Sequence, residues 1–348
     1  MMKNKLNILS IILIVSLLFI SACSSNENAS SGSANKDEGG QEEYVMKVAT
    51  PTSNDPQTHA MDLFKETLEK KTGGKMKVEL YPSSQLGSND QMLQQLSAGT
   101  IHGLLEPTAF LGGFAEILTV VDMPYLWPDV QVATEYLNGD GMDLFEPSLK
   151  EKGLTALSYY EYGPRIILLN DEVKNIDDFS GQKIRVMGAP VLVDEINAWG
   201  GTGVAMGVPE LYTALEQGTI DGLESASMFF YSGKYYEHAN YLLKEPNGAE
   251  VTIFMANNKW LDSLPDDLKT AVREAATEIT EDVHTYARTN DEDAIKKMEE
   301  EGLTVIKSTE ELHKQLTDAS QSVYDEFVKR VPGSQEIMDK IREKFPLD

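Results

Sequence analysis

Two arginines stand where a guanidinium could meet a ligand. Arg165 follows Gly163-Pro164, and Arg185 lies within Lys183-Ile184-Arg185-Val186, directly after a turn at Gly181. A guanidinium offers a planar fork of N–H donors that grips a carboxylate through two parallel hydrogen bonds. Composition alone favours an ordinary solvated strand arginine at position 185. Catalytic chemistry finds no comparable footing. The chain has no Gly-x-Ser-x-Gly, no His-Glu-x-x-His and no phosphate-binding loop, and its five histidines (His59, His102, His238, His284, His313) lack metal-ligand spacing. Gly201-Thr202-Gly203 with Gly207 imitates a dinucleotide loop, but it follows a predicted helix and its last glycine comes one residue late. No enzyme activity, metal or cofactor is expected.

The segments around these arginines belong to an exported protein. Lys3 and Lys5 precede an apolar run from Ile8 to Ile20, too short to span a bilayer comfortably. Ile20-Ser21-Ala22-Cys23 then resembles a bacterial lipobox, which makes residues 1–22 a lipoprotein signal peptide and Cys23 the lipidated N-terminus. Cys23 is the only cysteine, so no internal disulfide can form. The Ser-, Asn-, Gly- and Glu-rich stretch that follows, residues 23–43, reads as a flexible tether. Loss of residues 1–22 removes two lysines and no acid, moving the formal charge from −26 to −28. That balance argues against nucleic acid or an anionic membrane surface as partner. It leaves an anionic ligand possible, because surface charge is screened beyond roughly 8 Å.

Apolar spacing predicts alternating strands and helices. Val45–Ala49 and the alternating Met76, Val78 and Leu80 are strands, and helices run over Thr58–Lys71 and around Met92–Leu96. Further strands cover Ile166–Leu169 and Ile184–Met187, and further helices Val191–Trp199 and Pro209–Gln217. An α/β sheet with helices on its faces follows. The longest helical signal starts at a Ser263 cap and Pro265 and lasts until Gly302, about 37 residues or roughly 55 Å. Such a helix either bridges two lobes, kinks, or breaks near Thr289-Asn290-Asp291.

Several blocks, taken in order, resemble the solute-binding proteins of tripartite ATP-independent periplasmic (TRAP) transporters, of the dicarboxylate-binding type. They are Leu80-Tyr81-Pro82-Ser83-Ser84-Gln85-Leu86-Gly87, Gly163 with Arg165, the Asp178–Arg185 run, Glu210 through Gly218, Asp221-Gly222-Leu223-Glu224, and Asn258-Lys259-Trp260 with Leu264-Pro265. The resemblance spans nearly everything from Val45 onward. It implies a two-lobed, periplasmic-binding-protein-like α/β fold with crossing strands and a long helix bracing both lobes. The expected divisions are lobe I at 44–162, lobe II at 163–250, and a returning segment at 251–348. It further implies that Arg185 clamps a ligand carboxylate, with Arg165 as second pocket arginine and Glu224-Ser225 beside them. Thr50, Asn89, Val208 and Asn247 fall around the ligand. Ser225 replaces the family's usual asparagine, Pro164 replaces an aromatic or polar residue, and His102 stands at a structural position often held by aspartate. Phe229-Phe230-Tyr231 supplies either an apolar wall or helix packing.

The implied function is capture of a small organic acid on the extracytoplasmic face of the membrane, by a lipid-anchored periplasmic or cell-surface protein, and its delivery to TRAP permease subunits. The alternatives are a sensing lipoprotein that signals to a membrane receptor, and the same fold holding a zwitterion such as ectoine.

Overall fold

The computed structural model describes residues 35–36 and 42–346. The signal peptide, Cys23 and most of the tether lie outside the described residues. Among the described residues ten strands appear in chain order: β1 Asn35–Lys36, β2 Glu42–Ala49, β3 Met76–Tyr81, β4 Gly103–Pro107, β5 Leu154–Leu169, β6 Lys183–Val186, β7 Thr202–Ala205, β8 Gly222–Ser225, β9 Tyr241–Asn257 and β10 Thr304–Lys307. A tether alone is predicted at Asn35–Lys36, yet β1 pairs antiparallel with Glu42 and Glu43. Those two residues extend past the register of β3, whose pairing starts at Tyr44, and so leave backbone groups open to a passing strand.

The long strands β5 and β9 organise everything else. They run antiparallel beside one another from Leu154–Asn257 to Leu169–Tyr241. At one end β9 pairs with β4, which continues into the parallel set β2 and β3. At the other end β5 pairs with β8, which leads to β6 and β7, while β10 lies along β9. Each end thus has its own parallel strands with helices packed on them, and β5 and β9 are the crossing strands of a two-lobed α/β fold. The expected boundaries at 162/163 and 250/251 both fall inside these strands. Register shifts interrupt the β5–β9 ladder around Ala156/Ser158, Glu161/Gly163 and Arg165/Ile167. Such bulges bend a strand and re-aim its side chains.

The predicted long helix is built in pieces. Helices cover Asn258–Ser263, Asp266–Glu278 and Thr280–Glu300. Ser263 does not cap the second piece: it ends the first, and its hydroxyl donates to the Trp260 carbonyl at 2.6 Å. The interruption falls at Ile279, and Thr289-Asn290-Asp291 stay helical. Tyr160 explains the place. Its hydroxyl donates at 2.7 Å to the Ala276 carbonyl, which a straight helix would offer to the Thr280 N–H. A side chain inserted into the i→i−4 ladder is a common cause of a kink. Beyond the kink the helix reaches both halves. Tyr286 stacks on His59 of the helix Pro56–Lys71, with ring centroids 4.1 Å apart, and Asp291 accepts from Ser227 of the helix Ser227–Ser232.

Candidate ligand-binding site

Arg185 sits in β6, between β7 and β8. Gly181, at φ 84°, makes the preceding turn in a region that favours glycine. Lys183 of the strand is exposed while Ile184, Arg185 and Val186 are buried. The residue as a whole is only 1% exposed. Its Nε donates to the Met206 carbonyl at 3.0 Å and its Nη1 to the Glu224 carbonyl at 3.4 Å. The remaining nitrogen, Nη2, is buried without a hydrogen-bond partner. The group lies 5.7 Å from the ring centroids of both Phe110 and Phe229. Burial pulls its pKa below the usual arginine value, against the opposing fields of Tyr235, Glu250 and Glu224. A cation so enclosed, without a carboxylate bonded to it, is costly until an anion joins it.

Arg185 lines a narrow cavity of about 10 Å³ between the two halves. Pro51, Thr52, Gln57, Pro107 and Phe110 form one wall; Met187, Val208, Ser225 and Phe229 form the other, with Tyr162 and Glu250 contributed by β5 and β9. Two further buried polar atoms on lining residues have no partner: Gln57 Nε2 and Thr52 Oγ1. Buried polar groups are nearly always hydrogen-bonded. Three unsatisfied groups able to donate, gathered on one cavity, describe a receptacle for a ligand rich in acceptors.

Arg165 occupies a different setting. It is fully buried, with Nη1 2.8 Å from Glu224 Oε1 and Nη2 3.4 Å from Glu195 Oε2, and Nη2 also donates to the Asp122 and Asn247 carbonyls. Burial alone would lower its pKa, but Glu224, Glu195, Asp122 and Glu250 together raise it. Burial also pushes the Asp122 and Glu195 carboxyls up to about 8, against the pull of Arg165. Asn247 closes this network by donating to Glu195 Oε1 at 3.0 Å. Gly248 is required beside it, because a Cβ there would lie 2.2 Å from Arg165 Nη2. Arg165 already has a close carboxylate partner in Glu224.

The residues implied by the resemblance therefore divide. Arg185, Ser225 and Val208 line the cavity. Arg165, Glu224 and Asn247 do not line it and instead bond to one another in a buried polar network. Thr50 is one step removed, donating its hydroxyl to the lining residue Gln57. Asn89 joins the two halves: its Oδ1 accepts the Val208 N–H at 3.4 Å, while its amide donates to buried Glu106. Of the aromatic run, Phe229 faces the cavity, Phe230 packs in the core, and Tyr231 stacks on Tyr236 elsewhere. His102 accepts from the Lys47 N–H and stacks on Trp260. Gln57, Thr52, Phe110, Tyr162 and Glu250 were not singled out from the sequence. The one local hint was Asp55-Pro56-Gln57, which reads as a capped helix start and so places Gln57 in the first turn.

The profile of the bacterial extracellular solute-binding protein family 7 (DctP) matches residues 48–330. The C4-dicarboxylate-binding periplasmic protein DctP of Rhodobacter capsulatus is 28% identical over 293 residues, covering 83% of this chain and 88% of that protein. The C4-dicarboxylate-binding protein DctB of Bacillus subtilis is 29% identical over 297 residues, covering 84% and 82%. A crystal structure of a TRAP periplasmic solute binding protein from Desulfovibrio salexigens, with orotic acid bound, superposes with a TM-score of 0.83 at 25% identity, covering 87% of this chain and 98% of that one. These relatives are binding proteins of transport systems and not enzymes, and the present chain, with crossing strands, a braced pair of lobes and a buried arginine between them, belongs to the DctP family of extracytoplasmic solute-binding proteins.

Proposed function

We propose that the chain captures a small organic acid in the cavity around Arg185 and hands it to a TRAP-type secondary transporter. One observation carries this reading: Arg185 Nη2, Gln57 Nε2 and Thr52 Oγ1 are buried donors without partners on residues lining a single cavity. The ligands named for the relatives, C4-dicarboxylates and orotic acid, are carboxylates and agree with it. The Asn89–Val208 bond across the halves suits a form in which the lobes have closed. An acid that binds this form better than an open one shifts the balance toward it.

Thermal-shift screening of a carboxylate library tests the reading. A ligand present at a hundred times its dissociation constant adds about 2.7 kcal/mol, which raises the midpoint by several degrees. If only neutral sugars or polyols shift the transition, the carboxylate reading is wrong.

The same proposal tethers the mature protein to the outer face of the cell membrane through an acylated Cys23, on the support of Ile20-Ser21-Ala22-Cys23. In detergent phase partition the native protein should follow the detergent and Cys23→Ala the water. Native protein found in the aqueous phase, with no acyl mass, removes the anchor.

A further inference from the structure

The cavity contains one feature that a simple anion trap would lack, the carboxyl group of Glu250. This residue lies in β9 opposite Gly163 of β5 and is 2% exposed. Its Oε2 is fully occupied, accepting the Ser225 hydroxyl at 2.7 Å and the Ala226 N–H at 2.9 Å. Those two bonds fix the carboxyl in place. They leave Oε1, among the described residues, as an acceptor with no protein donor on a residue that lines the cavity. Ser225 consequently spends its hydroxyl on Glu250, as a positioning residue.

The cavity thus presents two opposite demands. Arg185 Nη2 calls for an acceptor, and Glu250 Oε1 in its ionised form calls for a donor, burial having raised that carboxyl to about 7. Arg185 and Glu250 line the same narrow pocket, so a molecule seated on Arg185 lies beside Glu250 as well. An acid bearing only acceptors would press lone pairs, or a second negative charge, against a carboxyl held rigidly from behind. A site built to bond a donor rejects the analogue that lacks it, because its own buried group is then left unpaired.

We propose that Glu250 determines ligand choice: the cavity takes a short carboxylate that also carries a hydrogen-bond donor, ammonium or hydroxyl, within a few bonds of the acid, with the acid on Arg185 Nη2 and the donor on Glu250 Oε1. The proposal rests on the carboxylate reading above and narrows it to amino and hydroxy acids.

Calorimetric titration with two matched series tests it. One series is succinate, malate and aspartate; the other is butyrate, 3-hydroxybutyrate and 4-aminobutyrate. The native protein should bind a donor-bearing member at least tenfold more tightly than the plain acid of the same series. Preference for the amino member identifies an ammonium ligand, and preference for the hydroxy member a hydroxyl ligand; either supports the proposal. In Glu250→Gln the amide oxygen can keep the Ser225 and Ala226 bonds while the amide nitrogen donates into the cavity. The order should then invert, with the plain acid bound more tightly than by the native protein. The native ranking decides the matter even if the variant fails to fold. Succinate or butyrate bound as tightly as its donor-bearing analogue overturns the proposal and leaves the carboxylate reading standing. Failure of all six acids to bind overturns the proposal, and failure of the whole carboxylate library overturns the carboxylate reading with it.

Discussion

The two buried arginines should respond oppositely to removal. Arg185 has two main-chain acceptors, two aromatic neighbours and one free nitrogen, and no carboxylate is bonded to it. A hydrogen bond to a charged group contributes about 1.5–3 kcal/mol, and every 1.4 kcal/mol is about tenfold in affinity. Arg185→Ala should therefore weaken the best carboxylate from the screen by at least tenfold and up to about a hundredfold. Its effect on the unliganded fold should be small, since loss of the ring contacts and two hydrogen bonds is offset by removal of a poorly hydrated cation. Arg165 is the reverse case. Its removal strands the Glu224 carboxylate in a dry interior, and breaking a buried pair from one side costs about 3–5 kcal/mol. Arg165→Ala should lower the midpoint of unliganded protein far more than Arg185→Ala does. Calorimetry measures the first effect and scanning fluorimetry without ligand the second. Native-like affinity in Arg185→Ala would refute the assignment of the clamp. Native-like stability in Arg165→Ala, combined with lost binding, would show that Arg165 serves the ligand and not the fold.

Two further outcomes follow from the buried layer. Gly248→Ala places a methyl carbon 2.2 Å from Arg165 Nη2, and overpacking of this kind costs about 1–3 kcal/mol; an unchanged melting temperature would mean the guanidinium has room to retreat. Stability should also fall with rising pH. Burial holds Glu106, Asp122 and Glu195 up at about 8, so the folded form keeps protons that the unfolded chain, with ordinary carboxyl pKa values near 4, has lost. Their stabilising share is full below those ordinary values and is lost as pH rises through about 8. Buried His102 and His284, whose pKa values burial lowers from 6.5, act with the opposite sign only below that point. The melting temperature should therefore decline from pH 6.5 to 8.5, and a flat or rising profile would refute neutral buried acids.

Local chemistry was legible in the residues alone. Alternating Met76, Val78 and Leu80 fit β3, the apolar face of Met61, Phe64 and Leu68 fits the helix Pro56–Lys71, and Gly181 followed by Ile184-Arg185-Val186 fits a turn into a short buried strand. These patterns act within a few residues of one another, so spacing and side-chain type suffice to reveal them. The ordered blocks from Leu80 to Pro265 likewise pointed to the family, and with it to the crossing strands. What the residues could not disclose depends on partners distant in sequence. The helix yields at Ile279 because Tyr160, from β5, reaches the Ala276 carbonyl. Arg165 and Arg185 look alike as strand arginines, yet the tertiary fold surrounds the first with Glu195 and Glu224 and leaves one nitrogen of the second buried without a partner. Glu250, an unremarked acid in β9, enters the cavity only because Ser225 and Ala226 of β8 and its following turn hold it there. Periodicity tells which side of a strand is buried. Whether a buried charge meets its counter-ion or waits for one is a matter of long-range packing, and only the assembled sheet decides it.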